Sequence, residues 1–97
     1  MYQMFPLYKF YHIATTNAGV QIVTGSGVLG NINVNTPIAN QFIKIYDGTS
    51  TTGSLIASIS IVTTTSPPPT LWYEVQYATG LFLVTTTGAA DVTIAYK

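Results

Sequence analysis

Acid and base catalysis needs at least two titratable groups held in different environments, and the candidates in this chain are few. They are Asp47, Glu74, Asp91 and the single histidine, His12, beside tyrosines and three lysines. No two of them stand at a spacing that a strand or turn would bring together. Asp47 precedes Gly48 and Asp91 opens an apolar run, both places where a short carboxylate caps backbone amides. Glu74 lies two residues from Trp72 in an alternating run, positioned to bond a hydroxyl or lysine across a sheet, or to help hold a ligand. His12 has no second histidine and no cysteine to share a metal; only a trimer axis gathering three copies would make such a site. The simpler reading is an imidazole among the aromatics of the first run, bonded to a backbone carbonyl. Serines and threonines abound, but none stands in a nucleophile-elbow pattern with a base to activate it. The run Gly25-Ser26-Gly27-Val28-Leu29-Gly30 superficially resembles a dinucleotide-binding loop, yet it lacks the following helix and the later acidic residue that this chemistry requires. The residues therefore predict no catalytic site, no cofactor and no metal: a protein that is not an enzyme.

Recognition is the chemistry that remains. Trp72, Tyr73, Tyr77 and Tyr46 could stack on sugar rings, with Glu74, Gln76 and Asn40 as hydrogen-bonding helpers. Trp72, Glu74 and Tyr77 are the expected contacts of a glycan or protein partner on this reading. The bland alternative places most of these rings in the core or at an interface between subunits.

The composition says what kind of molecule must position these groups. Charged residues make up 6% of the 97 residues, three basic against three acidic, and 47% are hydrophobic. An ordinary soluble domain carries roughly 25% charged residues and a net charge away from zero. Such an exterior must rely on hydroxyls, amides and neutral aromatics, and it loses little hydration when another subunit covers it. One small domain with no cysteine and no metal set has oligomerisation as its remaining route to added stability. Lys9, Lys44 and Lys97 are too few to neutralise phosphates, so nucleic acid is not an expected partner. Met1 to Phe10 has no basic stretch and is interrupted by Pro6, so no export signal is predicted. No run approaches the ~18 apolar residues of a membrane helix, so no membrane partner is predicted either.

Short runs rich in Val, Ile, Thr, Tyr and Phe alternate with period two between Gly, Asn, Asp and Ser punctuation, and no helix of credible length is present. The first run is Leu7 to Ala14. The second, Val20 to Thr24, puts Val20, Ile22 and Thr24 on one face. In the third, Val28, Ile32 and Val34 share a face with Gly30, and Leu29, Asn31 and Asn33 share the other. Phe42 to Asp47 ends at an Asp-Gly turn. In Leu55 to Ile61, alternation points Leu55, Ala57, Ile59 and Ile61 inward and Ile56, Ser58 and Ser60 outward, with Ile56 the one mismatch. Pro67, Pro68 and Pro69 predict an extended crossing loop. Runs from Leu71 to Gln76, Leu81 to Thr86 and Asp91 to Tyr96 complete the set. About eight strands in one domain spanning residues 1–97 predict an all-β antiparallel β-sandwich, jelly-roll-like, or else a small barrel.

Three stretches, Thr24 to Ile32 (TGSGVLGNI), Ile43 to Ser50 (IKIYDGTS) and Gly53 to Ala57 (GSLIA), together with Tyr77 to Tyr96, resemble small virion proteins of tailed bacteriophages. The resemblance covers most of the chain from Ala14 onward. It implies a non-enzymatic, small all-β subunit that decorates or cements a capsid, often as a trimer, in contact with itself and with the major capsid protein or other virion subunits. It also implies a virion location. The alternative reading on the same particle is a receptor- or glycan-binding module, or a tail-associated structural protein. The aromatic segment Met1 to Tyr11 and the triple proline depart from the pattern. Tyr2, Phe5, Tyr8, Phe10 and Tyr11 are accordingly expected to form an arm or edge strand against a neighbour, the alternative being that they complete this domain's own core.

Overall fold

Period-two stretches of β-branched and aromatic residues must pair laterally to satisfy their backbone groups, and the computed structural model shows how they do so. It describes residues 8–14, 17–36, 40–61, 70–86 and 91–97. Tyr2, Phe5 and the triple proline lie outside the described residues. Eight strands are formed: β1 (Lys9–Ile13), β2 (Asn17–Thr24), β3 (Gly27–Thr36), β4 (Gln41–Asp47), β5 (Ser54–Ile61), β6 (Leu71–Tyr77), β7 (Gly80–Thr86) and β8 (Asp91–Tyr96). They build two four-stranded antiparallel sheets, ordered β1-β8-β3-β6 and β2-β7-β4-β5. Of the connections in chain order, only β4 to β5 joins neighbours within one sheet. The rest cross between sheets, which is the wiring of a jelly-roll sandwich.

The two inner faces meet over aliphatic side chains. Leu29, Ile32, Val34, Val92 and Ile94 from the first sheet pack with Ile43, Ile45, Leu81 and Leu83 from the second. Among the described residues no buried side-chain nitrogen or oxygen lacks a hydrogen-bond partner, so the core carries no unsatisfied polar group to offset its burial.

Simple alternation misassigns three places, and a bulge explains each. A register shift between Leu29 and Asn31 sets Gly30 opposite two residues of β6. Leu29 therefore joins Ile32 and Val34 in the core, while Val28 is only half-buried. In β2 a shift between Gln21 and Val23 aligns Val20 with Leu83 and Val23 with Leu81, so Val23 rather than Thr24 continues the core-facing side. In β5 a shift between Ile45 and Tyr46 of the partner strand turns Leu55 outward, 52% exposed, and packs Ile56 against the core. Each bulge reverses the inward set beyond it, because side chains change sides with every residue.

This assignment is directly measurable. Measured on dissociated single chains, Leu55→Ser should change the unfolding free energy by no more than about 0.5 kcal/mol, as for a surface site. Ile56→Ser should cost clearly more, and Leu83→Ala, at a fully buried position, about 2–5 kcal/mol. Urea unfolding in which Leu55→Ser proves the costlier of the first two would restore the unbulged register.

Candidate functional site

Three polar constellations hold the sandwich at its ends and on one outer face. The first lies where the β4–β5 turn meets the β6–β7 crossing. Asp47 accepts hydrogen bonds from the backbone amides of Ala78 at 2.8 Å, Thr79 at 2.8 Å and Gly80 at 3.3 Å. The carboxyl is held below the usual carboxylate range, chiefly by the Ala78 amide and then by that of Thr79, against a smaller opposing effect of desolvation. The turn-capping role expected of Asp47 is what the geometry shows, although the amides belong to a crossing some 30 residues further on. Beside it the Gln21 amide nitrogen lies 2.8–3.1 Å from the carbonyl oxygens of Val23, Gly48 and Leu81, tying β2, the β4–β5 turn and β7 together. Nothing in the sequence singles out Gln21, since its partners lie in three different segments. A cleft of about 460 Å³ opens nearby, lined by Ser26, Gly27, Val28, Asp47, Gln76, Tyr77 and Ala78. Its carboxylate is spent on backbone, so the cleft offers a ligand little to bind.

The second constellation centres on Tyr8, which precedes β1. Its hydroxyl donates to the Glu74 carboxylate, 2.8 and 2.9 Å from the two oxygens, and the Lys97 ammonium sits 4.6 Å from its ring centroid. The ring crosses the sheet over Gly30, where an added Cβ would lie 2.5 Å from Tyr8 Cε1. Glu74 adopts φ 49°, a left-handed conformation, at the bulge facing Gly30. A non-glycine residue in that conformation costs on the order of 1–3 kcal/mol unless its surroundings over-determine it. The bond to Tyr8 is one such restraint.

The third constellation pairs two groups 79 positions apart: His12 Nε2 lies 2.5 Å from Asp91 Oδ1. Asn35 donates to the same oxygen and to Thr93 Oγ1, each at 3.0 Å. The Asp91 carboxyl is pushed down first by the Asn35 amide and then by His12. Two expectations are corrected here. Among the described residues His12 bonds a carboxylate where a backbone carbonyl was expected, and Asp91 binds side chains where an amide cap was expected, because β1 and β8 pair antiparallel and bring these residues to one end of the sheet. Continuing inward, Asn33 donates to Asn31 Oδ1 at 2.9 Å, and Thr70 donates to Asn33 Oδ1. Among the described residues no group of three metal-ligating side chains forms.

The aromatic candidates separate clearly. Tyr8, Phe10 and Tyr11 belong to or adjoin β1, which pairs with β8 of the same chain; Tyr11 packs against the core and Phe10 is 71% exposed. Trp72 is 69% exposed on the outer face of β6. Tyr77 cannot join it at the surface, which corrects the grouping made from sequence: only 2% exposed, it points into the core and donates its hydroxyl to Lys97 O at 3.2 Å. Its hydroxyl is raised above the ordinary phenol range, mainly by burial.

Both depressed carboxyls lend stability that is whole above about pH 4, the unfolded value, and drains as pH falls through their lower folded values. We expect Asp47→Ala to lower Tm at pH 7 by on the order of 5 °C. The gap from the unaltered protein should narrow as melts are run below about pH 4; a gap that stays constant with pH would mean the carboxylate's charge does not hold the crossing. Compared with models of protein families, with curated proteins and with solved structures, the chain matches none.

Proposed function

We propose that this chain is a non-enzymatic structural subunit that packs, as a homo-oligomer, into a larger protein shell. The virion of a tailed bacteriophage is the shell its resemblance implies, with the chain decorating or cementing the capsid, as a trimer on that model. The observation that carries this reading is the outer face of the β2-β7-β4-β5 sheet. There Leu55, Tyr46 and Phe82 align across three strands, with Val84 and Phe42 in the adjoining rows. Leu55 is 52% and Phe42 45% exposed. Lys44, 6.0 Å from the Phe42 ring centroid, is the one charged side chain on that face among the described residues.

A patch of this kind is favourable to cover. Burying apolar area gains roughly 25 cal/mol per Å², and a face with one charge has little ionic hydration to lose. Interface cores are likewise depleted in charge and enriched in aromatics. Assembly would also add the buried area that so small a domain lacks by itself. The jelly roll recurs in viral coat and lectin domains, an analogy at the level of fold that agrees with a shell subunit without selecting it.

Light scattering on the isolated protein at micromolar concentration should give a mass that is a multiple of one chain. The double variant Leu55→Glu with Phe82→Glu should shift that mass to a single chain while the far-ultraviolet circular dichroism of the sheets is kept. A monodisperse single chain for the unaltered protein would overturn self-association. Assembly unaffected by the double variant would move the contact to another face.

A further inference from the structure

The opposite outer face, that of the β1-β8-β3-β6 sheet, has a different chemistry. Strand register places Phe10 opposite Ala95, Ala95 opposite Asn31 and Asn31 opposite Trp72, so the four form one row across all four strands. The two aromatics stand on the two edge strands and are the most exposed large hydrophobic side chains among the described residues, at 71% and 69%. Between them the floor is a small methyl side chain and an amide. Three inter-strand gaps of about 4.8 Å separate the two aromatic residues by roughly 14 Å.

The next row carries His12, Thr93 and Asn33, bordered by Thr70. The amides of this floor are oriented by one another: Asn31 Oδ1 accepts from Asn33, and Asn33 Oδ1 accepts from Thr70. Both side-chain oxygens are thereby engaged, and Asn31 and Asn33 are each half-buried on this face. The Tyr8–Glu74 bond flanks the row along one side, and the His12–Asp91–Asn35 group lies along the other.

The geometry points to a binding site for a neutral linear oligosaccharide along this row. Phe10 and Trp72 supply flat apolar surfaces for the C–H faces of sugar rings, and Asn31, Asn33 and Thr93 supply donors and acceptors for hydroxyls between them. Charge complementarity selects the class. The carboxylates of Glu74 and Asp91 border the row, the Lys97 ammonium lies over the Tyr8 ring, and exposed Lys9 precedes Phe10 on the edge strand, so acidic and basic groups on this sheet roughly balance. Phosphodiester, sulfate and carboxylate ligands need a cluster of cations, and this row presents none. A proline-rich peptide could use the aromatic surfaces, but it would leave the floor of amides and hydroxyls largely unmatched. This inference goes beyond the shell-subunit reading and stands or falls separately from it, because it concerns the other sheet.

Trp72 is the sole tryptophan, so its fluorescence reports on the site directly. The experiment titrates the full chain with a panel of neutral linear oligosaccharides of glucose, galactose, mannose and N-acetylglucosamine, followed by Trp72 emission and by calorimetry. Saturable binding with a shift in emission is expected for at least one sugar class. By calorimetry, Trp72→Ala and Phe10→Ala should each weaken it at least ~10-fold, and Asn31→Ala about 3- to 10-fold, if each removes a stacking or hydrogen-bonding contact. Melting of these surface variants should match the unaltered protein, and Leu55→Ser on the far sheet should bind normally. The proposal is overturned if no neutral oligosaccharide binds, if binding survives both aromatic replacements, or if only sulfated or sialylated glycans or proline-rich peptides bind.

Discussion

Burial of aliphatic side chains between two four-stranded sheets is the contact on which the whole molecule depends. There is no cysteine to cross-link the chain, and no helix appears among the described residues. Leu29, Ile32, Ile94, Ile43, Ile45 and Leu83, all fully buried, hold sheets that are otherwise linked by crossing connections. Every outward feature follows from that choice of inside, because the pleat sends each neighbour of a core residue to the opposite face. Asn31 and Asn33 face out because Ile32 and Val34 face in; Phe42, Lys44 and Tyr46 face out because Ile43 and Ile45 face in.

The bulges adjust this rule where packing needs it. At Gly30 the register shift brings Leu29 into the core, and the missing side chain leaves room for the Tyr8 ring to lie across the sheet and reach Glu74. Just before the same strand Gly25, with φ 101°, makes the turn from β2 into β3 in a conformation that only glycine adopts without cost. The Gly-rich run from Gly25 to Gly30 thus serves a turn and a close approach, two backbone demands that have nothing to do with phosphate.

The two outer faces come out chemically unlike. One is aromatic and aliphatic with a single lysine; the other sets amides and hydroxyls between two exposed aromatics, with acidic groups at its borders. A subunit that packs through the first face would leave the second displayed, so assembly and sugar recognition would occupy different sheets and need not compete. The His12–Asp91–Asn35 group orders one end of the displayed face. Its hydrogen bonds fix the positions of neighbouring side chains: His12 and Asn35 bond the Asp91 carboxylate, and Asn35 also bonds the Thr93 hydroxyl.

Much of the fold was legible in the residues themselves. Eight short alternating runs and their turn punctuation are local properties, and the eight strands lie within a few residues of those runs. Asp47 could be read as a cap, since Asp before Gly in a turn is a local signal, and Trp72 as exposed, since it alternates with inward neighbours. What depended on the tertiary structure was everything that crosses the sandwich. Bulge positions are set by which register best fills the core, so Leu29, Val23 and Ile56 changed sides. The pairing of His12 with Asp91, of Tyr8 with Glu74 and of Phe10 with Trp72 across one row arises from strand order, which side-chain periodicity does not encode. A two-residue repeat states that a residue faces in or out; only the packing of distant strands against one another decides what it meets there.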